Sequence, residues 1–126
     1  MFIRVHHIAI LVSDMERSKD FYVNKLGFKI IAEVDRPERK SKLLYLTMNN
    51  SLFELVSFPN PPKRLSHPES TGLRHLALEV KNIEEAVKKL NKKEIKTEAI
   101  RIDQRTKKKF TFFKDPDDLP IEIYEA

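Results

Sequence analysis

The sequence contains no cysteine and no long apolar run. Without cysteine the chain can form no disulfide, hold no metal through thiolates and use no cysteine nucleophile. No segment approaches the roughly 18 to 20 apolar residues of a membrane-spanning helix, and the N-terminus has no apolar signal core. We therefore expect a soluble, cytoplasmic protein without a membrane partner.

The charge of the chain is basic but dispersed. The 126 residues carry a formal net charge of +5, with a pI near 9.4. Basic residues alternate with acidic ones, and the only basic run is KKK at 107–109, in a predicted hairpin loop. Binding to nucleic acid usually needs a basic face with exposed aromatic residues or a recognition helix. The sequence therefore predicts no nucleic-acid partner.

The most informative feature is an internal repeat. His75 lies 68 positions after His7, and Glu122 lies 68 positions after Glu54. At the same offset the pairs Ala9/Ala77, Val12/Val80 and Glu16/Glu84 are identical. Two copies of about 60 residues would be marginal alone, so we expect them to share the core of one domain. That single domain, 1–126, would consist of a module at about 1–58, a proline-rich linker at about 59–72 and a module at about 73–126.

Hydrophobic periodicity and turn residues predict β-α-β-β-β in each module. A helix at about 14–25 would begin at Ser13 or Asp14 and end at Gly27, and a second helix would run from Asn82 to about Lys93. The predicted strands of the first module are 2–12, from 28, 43–48 and 52–58. Those of the second module are 74–80, 95–102, 109–113 and 119–126.

Two histidines and two glutamates are the candidate functional residues. Strand alternation places His7 and His75 on equivalent faces, with His6 on the opposite face from His7. A carboxylate in an apolar strand costs several kcal/mol unless it is paired or metal-bound, and neither glutamate strand contains Arg or Lys. Two imidazole nitrogens and two carboxylates suit Zn, Ni, Co, Mn or Fe(II). For a single His or Glu, a structural role is the alternative.

The sequence resembles the vicinal oxygen chelate superfamily, and within it the glyoxalase I and bleomycin resistance-like proteins, particularly the small bacterial YaeR-like group. The resemblance covers nearly the whole chain and rests on the motifs HHIAILVSD, SKDFYVNKLGF, FEL, GLRHLAL and KDPDDLPIEIY. It implies an α+β fold in which two tandem βαβββ modules form a cupped mixed sheet around a divalent metal ion. It also implies a homodimer. The implied metal ligands are His7, Glu54, His75 and Glu122.

The resemblance implies a metal-dependent isomerase or lyase of the lactoylglutathione lyase type. In that family a glutamate ligand moves a proton between adjacent carbons of a small substrate, a thiol hemithioacetal. Glu122 is our first choice for this base and Glu54 the alternate, since the repeat makes them equivalent. A methylmalonyl-CoA epimerase-like enzyme would use the same ligands. A non-catalytic binding protein of bleomycin resistance type is the third alternative.

Several residues qualify the resemblance. Fosfomycin-modifying relatives generally have a catalytic Thr two positions after the first metal histidine, where this chain has Ala9. The usual DPDG turn has Asp118 in place of glycine, and we expect Asp to tolerate a left-handed turn there. For the basic residues Arg36, Arg101 and Lys109, contact with an anionic substrate is the alternative to ordinary solvated charge.

Overall fold

The computed structural model describes residues 1–126, which divide into two compact units, Met1–Pro62 and Lys63–Ala126. Each unit contains helix and one four-stranded mixed sheet, so the α+β class and the βαβββ order are confirmed. No helix is both long enough and apolar enough to cross a membrane. The joining of the two modules into a single domain, with the linker at the predicted place, stays a prediction.

The elements of the first unit are as follows. Helix α1 comprises an α-helical part, Met15–Lys19, and a π-helical part, Asp20–Lys25, and a 3-10 turn at Pro37–Arg39 precedes the third strand. The strands are β1 (Ile8–Val12), β2 (Lys29–Arg36), β3 (Ser41–Met48) and β4 (Ser51–Ser57).

The second unit repeats this order around helix α2 (Ile83–Lys92). Its strands are β5 (Leu76–Val80), β6 (Arg101–Ile102), β7 (Lys109–Lys114) and β8 (Pro120–Glu125).

The two sheets have the same topology, and their parallel ladders have the same register. Their strand orders are β1-β4-β3-β2 and β5-β8-β7-β6, with one parallel pair in each, β1 with β4 and β5 with β8. Ala9 lies opposite Glu54 in the first parallel pair, and Ala77 lies opposite Glu122 in the second. The offset of 68 residues found in the sequence is therefore also the offset between equivalent positions of these two ladders.

One face of each sheet carries the hydrophobic core of its unit. In the first unit Tyr22 and Phe28 are buried, and the Phe28 ring contacts Phe53 of β4 at 5.0 Å. In the second unit, helix α2 contacts β8 and contributes the fully buried Ile83. The buried sheet residues on these core faces are Ile10, Val12, Leu44, Leu46, Phe53 and Leu55 in the first unit, and Thr111, Phe113, Ile121 and Ile123 in the second. Strand alternation consequently places Glu54 and Glu122 on the face of each sheet that points away from the core.

Both helices start where the sequence predicts. The Asp14 carboxylate accepts a hydrogen bond from the Arg17 N–H at 3.2 Å, and the Asn82 side chain accepts one from the Glu85 N–H at 3.0 Å. Gly27, which follows the first helix, has a φ of 84°, the left-handed backbone conformation common just after a helix C-terminus. The predicted single helix at 14–25 is α-helical only to Lys19, and its continuation is π-helical.

The first strand is shorter than predicted. It begins at Ile8. Its only neighbour, β4, starts at Ser51, two residues before Phe53, the partner of Ile8. The chain before His6 therefore has no strand to pair with. One face of this strand is covered and the other is open, since Ile10 and Val12 are buried and Leu11 is 50% exposed.

The predicted strand at 95–102 is reduced to Arg101–Ile102. The Thr111 hydroxyl donates hydrogen bonds to the carbonyls of Glu98 at 2.8 Å and Ala99 at 3.2 Å. A side-chain hydroxyl thus hydrogen-bonds to carbonyls that would accept from backbone N–H groups in a regular ladder. The strand predicted at 74–80 likewise begins only at Leu76, which leaves His75 just before it.

The turn between β7 and β8 explains how this chain dispenses with the usual glycine. The Asp115 carboxylate accepts hydrogen bonds from the N–H groups of Asp117 and Leu119, both at 2.9 Å. Asp118 has a φ of 65°, so the expected left-handed turn is confirmed. Glycine would adopt this conformation without a Cβ penalty.

We predict that Asp118→Gly stabilises the protein by about 0.5 kcal/mol, because it relieves the left-handed strain. The matched variant Asp117→Gly lies in the same turn without a positive φ, so it should destabilise the protein by a similar amount through unfolded-state entropy. Urea denaturation of the two variants measures both changes. Destabilisation by both would show that Asp118 is unstrained.

Candidate metal centre

The first unit brings His7 and Glu54 together. His7 lies immediately before β1, and Glu54 lies in the middle of β4 opposite Ala9. The His7 Nε2 and Glu54 Oε2 atoms are 3.5 Å apart. The two side chains are 45% and 19% exposed, so the pair lies on the open face of the sheet with the carboxylate half-buried.

The second unit brings His75 and Glu122 together in the same way. The His75 Nε2 and Glu122 Oε2 atoms are 2.9 Å apart, and the side chains are 25% and 14% exposed. The His75 Nδ1 atom is buried without a hydrogen-bond partner. An unpaired buried polar atom typically costs about 1 to 3 kcal/mol. The His75 imidazole therefore does not stabilise the fold.

His6 contacts His7, which the sequence did not predict. The Nδ1 atoms of the two rings are 3.0 Å apart, and the rings meet edge-on at 5.2 Å. The prediction that His6 lies on the opposite face was wrong, because both residues precede β1 and strand alternation does not apply to them. One ring donates and the other accepts. With His7 as the donor, its Nε2 carries no hydrogen and is free to bind an ion, so His6 can fix that tautomer.

Aromatic side chains surround the second pair. Phe112 lies opposite Glu122 in the β7–β8 ladder, and its ring meets the His75 ring edge-on at 5.1 Å. Phe110 stacks on Tyr124 at 6.3 Å. All three aromatic residues are half-buried. The alternating pattern KFTFF, facing the alternating pattern IEIY, was the sequence signal for this arrangement.

Tyr124 is held by a hydrogen-bond network that the sequence analysis also missed. Its hydroxyl donates to the Asp103 carboxylate at 2.8 Å and shares a second hydrogen bond with the Thr106 hydroxyl. The bond from Tyr124, followed by the bond from the Arg105 N–H, holds the pKa of Asp103 below its ordinary value of 3.8. Tyr124 therefore has a fixed orientation at the edge of this face.

The donor atoms of each pair fit a divalent cation. A nitrogen and an oxygen that bind one ion at about 2.1 Å and at right angles are about 3 Å apart. The separations of 2.9 and 3.5 Å lie near that value. The structure describes no group of three or more His, Cys, Asp or Glu that could hold a metal ion. It presents the predicted ligands as two His–Glu pairs, one in each unit, and the four-ligand centre stays a prediction.

The other candidate residues have partners elsewhere. Arg36 donates to the Ser41 hydroxyl at 2.9 Å, and Lys109 pairs with Glu84 of α2 at 2.7 Å. His67 is exposed in the segment between the units' sheets in sequence. Arg101 lies closer to an aromatic ring than Arg36 does, since its guanidinium carbon is 4.9 Å from the Phe110 ring centre and that of Arg36 is 6.0 Å from the Phe58 ring centre.

The fold and the register-matched pairs agree with the comparisons to known proteins. The family model of the Glyoxalase/Bleomycin resistance protein/Dioxygenase superfamily matches residues 4–123. The chain belongs to this superfamily. The tandem βαβββ modules and the resemblance seen in the sequence are thereby confirmed.

Similar individual proteins include two bacterial ones of uncharacterized function. The chain is 56% identical over 122 residues to YwkD of Bacillus subtilis, covering 96% of this chain and 95% of that protein. It is 50% identical over 123 residues to YaeR of Escherichia coli, covering 97% and 95%. A crystal structure of a glyoxalase family protein from Enterococcus faecalis matches with a TM-score of 0.93 and 45% identity, covering 98% of both chains.

More distant relatives have named activities. Lactoylglutathione lyase of Escherichia coli O157:H7 is 31% identical over 125 residues, covering 97% of this chain and 92% of that enzyme. Human mitochondrial methylmalonyl-CoA epimerase is 33% identical over 101 residues, covering 75% of this chain and 56% of that enzyme. The superfamily thus includes isomerising enzymes of both kinds.

We predict that Tyr124→Phe raises the pKa of Asp103 towards its ordinary value of 3.8, because the variant lacks the hydroxyl that donates to the carboxylate. A depressed pKa adds stability above the unfolded value, and that contribution is lost as the pH falls through the folded pKa. NMR titration of the Asp103 carboxyl carbon measures the change. The control Tyr45→Phe, in the first unit, should leave the Asp103 titration unchanged, and an unchanged midpoint in Tyr124→Phe would contradict the assigned cause.

Proposed function

We propose that this protein is a metal-dependent isomerase or lyase of the glyoxalase type, which abstracts an α-proton from a small oxygenated substrate such as a thiol hemithioacetal. The observation that carries the proposal is the recurrence of one His–Glu pair, in one register, in both units. The proposal includes a cytoplasmic homodimer. It needs both units, since each supplies one histidine and one glutamate.

The proposed ligands of the divalent metal are His7, Glu54, His75 and Glu122. Neither glutamate has a Lys or Arg partner, and the contact that each makes to a charged or ionisable side chain is to its histidine. Zn, Ni, Co, Mn and Fe(II) all accept this mixture of nitrogen and oxygen. When bound, such an ion stabilises the negative charge that develops on a substrate oxygen as the neighbouring carbon loses its proton.

The chain supplies the base and its surroundings. The Glu122 carboxylate would take the proton from one substrate carbon and return it to the adjacent carbon, so that no proton is gained or lost overall. Glu122 is our first choice because it lies beside the half-buried Phe112, on which an organic substrate could pack. Glu54 is the alternate, with Tyr45 opposite it in the β3–β4 ladder.

A methylmalonyl-CoA epimerase-like activity is the second candidate. It is favoured by the 33% identity to the human mitochondrial epimerase. The same carboxylates would then remove a proton and a proton would return to the other face of the same carbon. The third candidate, a drug- or metabolite-binding protein of bleomycin resistance type, needs an apolar cleft and no metal.

We expect purified protein to retain divalent metal in stoichiometric amount, and Glu122→Gln to retain much less, because a neutral amide is a weaker ligand than a carboxylate. Elemental analysis after dialysis measures this. The control Glu85→Gln removes the same charge from an exposed position on α2 and should keep the full metal content. Absence of metal after reconstitution of the parent protein would refute the four-ligand proposal and favour a binding protein.

The same samples distinguish the two enzymatic candidates. Isomerisation of the hemithioacetal of methylglyoxal and a low-molecular-weight thiol would support the glyoxalase type. Loss of the α-proton of methylmalonyl-CoA to deuterated solvent, without hemithioacetal turnover, would support the epimerase type. Turnover of either substrate per bound metal ion should fall by at least about a hundredfold in Glu122→Gln if this residue is the base.

We further expect His6→Ala to weaken metal binding by about ten- to a hundredfold, because it removes the ring that fixes the orientation of His7. Competition with a chromophoric chelator measures the affinity. His67→Ala, which removes an exposed loop histidine, is the control and should have no effect. Equal affinities of His6→Ala and the parent protein would assign His6 no part in the site.

A further inference from the structure

Arg101 lies on the same face of the second sheet as the His75–Glu122 pair. In the ladders Arg101 is opposite Phe110, and Phe112 is opposite Glu122. Residues directly opposite each other in a sheet have their side chains on one face, as do residues two apart in one strand. The contacts agree, since the Arg101 guanidinium carbon lies 4.9 Å from the Phe110 ring centre and 5.7 Å from the Phe112 ring centre.

Phe112 connects the guanidinium to the proposed metal site. The Phe112 ring centre lies 5.1 Å from the His75 ring centre and 5.7 Å from the Arg101 guanidinium carbon. His75 and Arg101 thus both contact Phe112. A small molecule held at His75 and Glu122 could therefore extend over Phe112 to reach the guanidinium.

The guanidinium is held in place but keeps donors available. Contacts with the two rings orient it, and a guanidinium held by contacts with aromatic rings keeps N–H groups available for hydrogen bonds. Its one ion pair joins Nη2 to Glu98 Oε1 at 3.3 Å, and the side chain remains 53% exposed. An oriented guanidinium with free N–H groups is suited to bidentate recognition of a carboxylate or phosphate.

The first unit has no arginine at the equivalent position. The positions that match Arg101 and Phe110 in the ladders of the first sheet are Val34 and Leu43. Tyr45 takes the place of Phe112 opposite the glutamate. The repeat therefore retains the His–Glu pair in both units. The arginine on this face of the first sheet, Arg36, is two residues further along β2 and lies 6.0 Å from the Phe58 ring centre.

From this arrangement we propose that Arg101 is a specificity-determining residue, which selects substrates that carry a carboxylate or phosphate in addition to the oxygens that chelate the metal. The proposal rests on the proposed function, because it takes His75 and Glu122 as metal ligands. It narrows the substrate class from small oxygenated molecules to anionic ones, with the anion placed beyond Phe112.

Hydroxamates that differ in one carboxylate test this selectivity. Acetohydroxamic acid and the monohydroxamates of succinic, glutaric and adipic acid share one chelating group, and the last three add a carboxylate at increasing distance. Isothermal titration of the metal-loaded protein gives each affinity. We expect at least one of the three to bind about ten- to a hundredfold more tightly than acetohydroxamic acid, as a charge-assisted hydrogen-bond pair implies.

Variants assign the preference to this residue. Arg101→Met keeps the apolar stem and should abolish the preference while leaving the affinity for acetohydroxamic acid unchanged. Arg101→Lys keeps the charge without the planar fork and should retain a part of it. The control Arg105→Met removes the same charge from an exposed position in the turn before β7 and should retain all of it. Equal binding of all hydroxamates by the parent protein, or a preference that survives Arg101→Met, would overturn the proposal and leave the metal site intact.

Titration of the metal-free protein with succinate separates the two ideas if no metal is retained. A saturable shift of the Arg101 Nε–Hε NMR signal, with that of Arg105 unaffected, would support anion recognition at Arg101 even though the metal proposal had failed. No shift of the Arg101 signal would overturn this inference as well.

Discussion

The parallel pairing of the first and last strands of each unit is the constraint on which the candidate site depends. His7 and Glu54 are 47 residues apart in the sequence and meet because β1 pairs with β4 with Ala9 opposite Glu54. Residues of one strand alternate between faces, so a slip of one position would turn the carboxylate away from the histidine. Burial of Ile10 and Val12 on the other face fixes this register. The apolar face of the sheet thus determines the geometry of the polar one.

The stability of each unit comes from the face that does not carry the site. The core residues of β4 and β8, Leu55 and Ile121, are fully buried, whereas the glutamates beside them remain partly exposed. The polar pairs add little to stability, since His75 leaves a buried nitrogen unpaired and the His7–Glu54 contact is long. Residues that are held in place by a well-packed neighbouring layer, without being stabilising themselves, are typical of functional sites.

The two units share a backbone plan but differ in the chemistry of their open faces. The positions that carry Phe110 and Tyr124 in the second unit carry Leu43 and Val56 in the first. The first unit instead has a second histidine, His6, in contact with the metal-ligand candidate His7. Duplication explains the common register, and the differences give each unit a separate contribution. One orients a histidine, and the other offers an aromatic surface with a cation.

The sequence alone determined the repeat, the βαβββ order, both helix N-termini and the left-handed turn at Asp118. These features depend on local chemistry, namely strand alternation, side-chain caps and the conformations that Asp and Gly tolerate. Two predicted strands, at 2–12 and 95–102, were too long, because a strand extends only where a partner backbone is available. Residue propensities do not predict that β4 starts at Ser51 or that the Thr111 hydroxyl hydrogen-bonds to the carbonyls of Glu98 and Ala99.

The sequence likewise identified the four candidate ligands, since the equal spacing of the two histidines and the two glutamates can be read from the sequence alone. Only the tertiary structure decided which histidine meets which glutamate, that His6 contacts His7, and that Arg101 contacts Phe110 and Phe112 beside His75. Those contacts join residues across a strand ladder or outside any regular strand. Their physical cause is the pairing of distant segments, which periodicity within one segment does not encode.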